Sequence, residues 1–140
     1  MTNSYAGDVS PHDAWKILSG DKRAVLVDVR TQPEWAFVGM PDVSELGKRV
    51  MPLSWQIYPG MQIDPQFAAR LAALMPDRDA PVLFLCRSGA RSCAAAIALT
   101  QHGYRHCYNV ANGFEGGADP QRHRGRLAGW KADGLPWVQE

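Results

Sequence analysis

Val82-Leu83-Phe84-Leu85-Cys86-Arg87-Ser88-Gly89-Ala90-Arg91-Ser92, continued by Cys93-Ala94-Ala95-Ala96-Ile97-Ala98-Leu99, decides the fold. Val82 to Leu85 is an unbroken apolar run, the pattern of a strand buried on both faces of a parallel sheet. The run from Cys93 to Leu99 reads as a helix, apolar nearly all round and so expected to be buried, its alanines letting it lie close to the sheet. A strand that ends at a cysteine, with a helix opening a few residues later, aims the helix's unpaired N–H groups and the positive end of its dipole at the sulfur. An anion is favoured there, which draws Cys86 toward its nucleophilic thiolate. Four residues separate Cys86 from Arg91, and Gly89 among them can take backbone angles that turn successive N–H groups inward as a ring. The reading requires the Cys86 sulfur to face solvent and the loop amides to face the sulfur.

Working outward, Ser10-Pro11-His12-Asp13-Ala14-Trp15-Lys16-Ile17-Leu18 predicts a helix with a serine N-cap, a first-turn proline and Gly20 as its stop. Ala24 to Val29 is a second buried strand, interrupted by Asp28, a carboxylate that needs a partner there. Thr31-Gln32-Pro33-Glu34 opens a short capping-box helix running to Val38. From Gly39 to Gly60 the pattern is weak; Met51-Pro52-Leu53 fits a strand, with Pro41, Pro52 and Pro59 limiting any long ladder. Asp64-Pro65 caps an amphipathic helix whose Phe67, Leu71, Leu74 and Met75 should pack on the sheet. Gly103 closes the Cys93 helix, and Cys107 to Val110 is a further strand. Strands alternating with helices predict one α/β domain over residues 1–140, a central, mostly parallel sheet with helices on both faces. In such sheets the site lies beyond the carboxyl ends of the strands, where Cys86 and Asp28 to Arg30 both fall.

Composition sets the outer bounds. A chain of 140 residues, 46% hydrophobic and 21% charged, has the makeup of one soluble domain. A formal net charge of +1 gives no electrostatic support for nucleic-acid or membrane binding. The N-terminal residues lack the basic and apolar regions of a leader, and no run is long enough to span a bilayer, so a cytoplasmic location is expected. Cys86, Cys93 and Cys107 suggest no disulfide framework. His12, His102, His106 and His123 are scattered, and no cysteine or histidine spacing suits a metal; no metal and no cofactor are expected.

Cys86-Arg87-Ser88-Gly89-Ala90-Arg91-Ser92 resembles the active-site loop of the rhodanese (thiosulfate sulfurtransferase) family. The resemblance extends to Leu26-Val27-Asp28-Val29-Arg30, to Pro33-Glu34-Trp35, to Asn109-Val110 with Gly113-Phe114-Glu115-Gly116, and to Gly129-Trp130-Lys131 with Gly134-Leu135-Pro136. It departs from the family at Gly39-Met40-Pro41, which replaces a Gly-His-Ile-type turn, and at an insertion from Gly117 to Arg126. The resemblance implies a ping-pong transfer in which Cys86 takes a sulfane sulfur from a small anionic donor as a persulfide. Cyanide, a low-molecular-weight thiol or a protein thiol then removes it. Arg87, Ser88, Gly89, Ala90, Arg91 and Ser92 would bind the donor, the arginines holding its anionic oxygens, and Arg91 would also brace the loop against a carboxylate.

Phosphatases of the same fold resemble this chain but carry one residue more between cysteine and arginine; here the corresponding position is Ser92. The shorter ring fits one added sulfur and is cramped for phosphate, which ranks sulfur transfer above phosphatase or arsenate reductase chemistry. A persulfide carrier or regulatory module serving a protein partner is the other alternative. Asp28 and Arg30 are expected to support the loop rather than react, and Cys93 and Cys107 to pack; the sharper alternative for Cys93 is a resolving thiol for Cys86. Arg122, His123, Arg124 and Arg126 are read as a solvated face, or alternatively as a basic flank of the pocket that attracts an acidic donor or partner.

Overall fold

The computed structural model describes residues 4–139. Along the chain come β1 (Gly7–Val9), α1 (Pro11–Gly20), β2 (Val25–Asp28), α2 (Gln32–Phe37), β3 (Met40–Pro41), β4 (Met51–Pro52), β5 (Gln56–Ile57), β6 (Gln62–Ile63), α3 (Phe67–Leu74), β7 (Val82–Leu85), α4 (Ala90–Gln101), β8 (Cys107–Val110) and β9 (Trp137–Val138). Five strands form one sheet in the order β1-β8-β7-β2-β4, with every neighbouring pair parallel. Two small antiparallel pairs, β3 with β9 and β5 with β6, lie outside it.

Period-two alternation sends the strand residues to two cores. Val27, Val82 and Phe84 join Phe67, Leu71, Ala95 and Leu99 from α3 and α4 on one face. Leu26, Leu83 and Leu85 join Ala14 and Leu18 of α1, with Phe114 and Trp130 of the C-terminal segment, on the other. The α/β class, the parallel sheet and the helices on both faces are as the sequence reading has them.

Several local expectations need correction. β1 was not anticipated: it is three residues long, sits at a sheet edge, and its hydrophobic signal is one valine. Leu74 is 58% exposed, because the stripe of α3 that meets the sheet runs Phe67, Leu71, Met75 at a spacing of four and Leu74 falls beside it. α4 starts at Ala90 and buries one face only, Ser92, Ala95, Ala96 and Leu99, while Cys93, Ala94, Ile97 and Ala98 are half-buried. Gly20 is the last residue of α1 rather than its stop, and Asp21 caps it through its own N–H. The proline-rich middle does hold a strand: β4 pairs with β2 as the outermost strand, where Pro52 has no further neighbour to donate to.

Candidate functional site

Cys86 follows the last residue of β7, and the chain climbs through Arg87, Ser88 and Gly89 into α4. Gly89, the helix N-cap, has φ +119°, so the loop reverses there at the one residue type that takes this angle without strain. That reversal brings the Gly89 N–H onto Cys86 Sγ at 3.1 Å. The next turn places Ser92 Oγ 3.2 Å from the same sulfur. Cys86 is 1% exposed, which corrects the expectation of a thiol open to solvent. The loop itself covers it: Gly89 and Ser92 close on the sulfur, and the exposed Arg87, Ser88 and Ala90 form the outer edge.

The outward side of the loop is clamped by the turn after β8. Phe114 N–H donates to Cys86 O at 2.8 Å, and the N–H groups of Glu115 and Gly116 donate to Arg87 O at 2.9 and 3.1 Å. In a trans peptide C=O and N–H point opposite ways, so the amides of Arg87 and Ser88 are turned away from that turn. Neither enters a backbone hydrogen bond among the described residues. Gly113 makes the clamp possible: a Cβ there would lie 2.3 Å from Cys86 O and 2.7 Å from Arg87 C and O, and its φ is +57°.

Arg91, in the first turn of α4, places its two terminal nitrogens on Glu34 Oε1 and Oε2 at 2.7 and 3.0 Å. Glu34 is held ready by its own helix start, where Thr31 N–H and Oγ1 donate to Oε1 at 3.2 and 3.0 Å. Burial alone would push the Glu34 carboxyl up; the bonds and attraction of Arg91 outweigh it and hold the group below its ordinary value. The same bonds raise Arg91, against the pull of burial, and the nearby Cys86 sulfur adds to the effect. Arg87 is exposed and makes no side-chain bond among the described residues, so its guanidinium is unengaged at the loop's rim.

Asp28 and Arg30 are fully buried at the end of β2. Arg30 Nε and Nη2 donate to Asp28, the shortest contact being 2.7 Å, and Nη2 also donates to Gly39 O. The guanidinium lies over the Phe114 ring at 4.4 Å, beneath the residue whose N–H holds Cys86 O. This pair therefore supports the clamp.

The other candidates lie apart. Cys107 is fully buried, and burial pushes its thiol up to about 11. Cys93 lies beside Tyr5, whose hydroxyl is raised mainly by its bond to Asp8 and then by Cys93. The four histidines are all exposed. In the 117–126 insertion Arg124 donates to Gly116 O and Arg126 pairs with Asp119 at 3.8 Å, whereas Arg122 and His123 face solvent. A groove of about 660 Å³, lined by Trp35, Phe37, Leu53 and Tyr58, lies on the flank of α2 and includes no residue of the Cys86 loop.

The sequence reading missed Asn109 and Asp8 as neighbours of the site. Asn109 Oδ1 is 2.5 Å from Ser92 Oγ, and Asn109 Nδ2 donates to Asp8 Oδ1 at 3.0 Å. The signal was a polar residue in the middle of a buried strand, which has to be satisfied by something.

A thiol at the end of a parallel strand, under the first turn of a small-residue helix and braced by an arginine–carboxylate pair, defines a rhodanese-like α/β domain. The chain belongs to the STR4 middle domain family, which matches residues 6–140. It is similar to Rv0390 from M. tuberculosis, whose crystal structure aligns over 98% of this chain and 100% of its own, with a TM-score of 0.89 and 49% identity. An uncharacterized protein of Rickettsia conorii, RC0915, is 39% identical over 125 residues, 89% of this chain and 90% of that protein. A sulfurtransferase of Allochromatium vinosum is 31% identical over 121 residues, 86% of this chain and 84% of its own length. Among the described residues no helix is long and apolar enough to cross a membrane.

Proposed function

We propose that this protein is a sulfurtransferase that carries a sulfane sulfur on Cys86 from a small anionic donor such as thiosulfate to a thiol or cyanide, in the cytoplasm and without a cofactor. The observation that carries the reading is the Gly89 N–H on Cys86 Sγ inside a short loop closed by Arg91 on Glu34. The Cys86 thiolate attacks the outer sulfur of thiosulfate, the S–S bond of the donor breaks, and sulfite leaves with the bonding pair. The persulfide is itself an anion, and the loop N–H groups and the start of α4 stabilise it as they do the thiolate. An acceptor nucleophile then attacks the outer sulfur, and Cys86 leaves as a thiolate.

Arg87 is the residue free to meet the donor's oxygens. Arg91 is committed to Glu34, so its part is to hold the loop and lend it positive charge rather than to grip the donor. Because the loop covers the sulfur, donor entry requires the Ser88–Ala90 arch to lift.

Intact mass spectrometry after incubation with thiosulfate tests the reading. Expected is a gain of one sulfur, removed by cyanide and absent in Cys86→Ala. A protein that gains nothing, or a Cys86→Ala variant that still gains sulfur, overturns it. Assays with a phosphate ester and with arsenate, run alongside, are expected to show no turnover.

A further inference from the structure

Ser92 Oγ has three polar neighbours, Asn109 Oδ1 at 2.5 Å, Cys86 Sγ at 3.2 Å and Gly89 O at 3.3 Å, and one proton to give. Which neighbour receives it is decided two residues away. The amide of Asn109 could in principle face Ser92 with either end, and its hydrogen-bond network settles the choice. Its nitrogen lies 3.0 Å from Asp8 Oδ1, an acceptor only, so the N–H end faces Asp8 and the carbonyl end faces Ser92. β1 and β8 pair with Asp8 directly opposite Asn109, and Tyr5 donates to the same Asp8 oxygen at 2.7 Å, which pins the carboxylate. The Ser92 proton therefore goes to Asn109, by its shortest contact, and a lone pair of Ser92 faces the sulfur. In that arrangement Ser92 can accept from the Cys86 S–H but cannot donate to a sulfur anion.

We infer that Asp8, acting through Asn109 and Ser92, is a positioning residue that holds the Ser92 proton away from the Cys86 sulfur in the resting loop, leaving the Gly89 N–H to face it, and that a Ser92 hydrogen bond to a sulfur anion requires the hydroxyl to turn from Asn109 to Cys86. This rests on the reading of Cys86 as the reactive thiol. The other charges around the sulfur are Arg91 with its partner Glu34, the Asp28–Arg30 pair at the end of β2, and Arg87 at the rim. None of them contacts Asp8; the titratable groups that do lie against it are Tyr5, bonded to its carboxylate, and Cys93 beside Tyr5, and both are removed from the readout by subtracting the matching Cys86→Ala protein.

Asp8 is exposed on an edge strand, where substitution leaves the core alone. In Asp8→Ala the Asn109 amide is released to turn over and donate to Ser92, whose proton is then free for the sulfur. One hydrogen bond gained by the charged sulfur is expected to raise the thiolate-to-thiol ratio of Cys86 about tenfold or more. In Asp8→Asn the charge is removed but a carbonyl can still accept from Asn109, so the ratio stays near that of the wild type. The readout is ultraviolet thiolate absorbance across pH, with the matching Cys86→Ala protein subtracted, which needs no access to the buried sulfur. In a Ser92→Ala background, Asp8→Ala is expected to have no effect. Equal shifts in Asp8→Ala and Asp8→Asn would reduce Asp8 to a simple charge effect and overturn the inference. So would an unmoved Asp8→Ala, or a shift that survives in Ser92→Ala. Persulfide formation by the wild type is scored separately, so failure of sulfur transfer and failure of this relay are distinguishable.

Discussion

Arg91 sets its two terminal nitrogens on the two oxygens of Glu34 at 2.7 and 3.0 Å, joining the first turn of α4 to the first turn of α2 across 57 positions of sequence. Both side chains are about four-fifths buried, so the pair is neither a screened surface contact nor a fully desolvated one. Replacing Glu34 by alanine leaves a largely buried guanidinium without its fork. The expected loss is about 1–3 kcal/mol, read as a lowered urea midpoint at unchanged slope. Arg91→Lys, which keeps the charge and gives up the fork, is expected to lose part of that.

The same pair gives stability a pH dependence. The folded Glu34 carboxyl lies below its ordinary 4.5, to which the unfolded chain returns it. Between those two values the unfolded chain binds more protons, so acid favours unfolding. The contribution is complete above the ordinary value and disappears as pH falls through the folded one. The stability gap between wild type and Glu34→Gln should therefore narrow on acidification; a gap independent of pH would exclude this origin.

Gly113→Ala tests the clamp. The new methyl would meet the Cys86 carbonyl at 2.3 Å, and the left-handed backbone there costs alanine about 1–3 kcal/mol by itself. The turn has to withdraw, and with it the Phe114, Glu115 and Gly116 amides that orient the loop. A folded protein of lower Tm that no longer gains sulfur from thiosulfate is the expected outcome, by circular dichroism and mass spectrometry.

For Asp28→Ala the expected cost is larger, about 3–5 kcal/mol, because Arg30 would keep its charge in a fully buried position with its main partner gone. Asp28→Leu combined with Arg30→Met removes both charges and should recover much of that loss in chemical denaturation.

Cys107, its thiol raised to about 11 by burial, stays neutral at mildly alkaline pH. Iodoacetamide should modify it in the denatured protein and not in the native one, as read by peptide mass mapping.

The class, the sheet and the loop were legible because each left a local signal: four consecutive apolar residues from Val82 to Leu85, a cysteine at their end and an arginine at fixed distance. Glu34 was legible as the capping residue of α2, and a carboxylate brace for Arg91 was expected without its identity. The clamp could not be read, because it is made by backbone N–H groups after β8, where Gly113 shows its purpose only beside the Cys86 carbonyl. Asp8 was invisible for a related reason: its strand is three residues long, and its value lies entirely in the register that sets it opposite Asn109. The covered sulfur contradicts the expectation of an open thiol, since the backbone reversal at Gly89 and the side chain of Ser92 in the next turn both close on it, which no residue type in the loop announces.

The fastening of the loop at both ends has a bearing on how such a ring could change its substrate. Cys86 and Arg87 are fixed by the turn after β8 and Arg91 by Glu34, which leaves between them the arch from Ser88 to Ala90, tied to α4 by the Cys93 N–H on Gly89 O. An extra residue that widened the ring enough for a tetrahedral oxyanion could be absorbed only within that arch, and it would carry the Gly89 amide off the sulfur as it went.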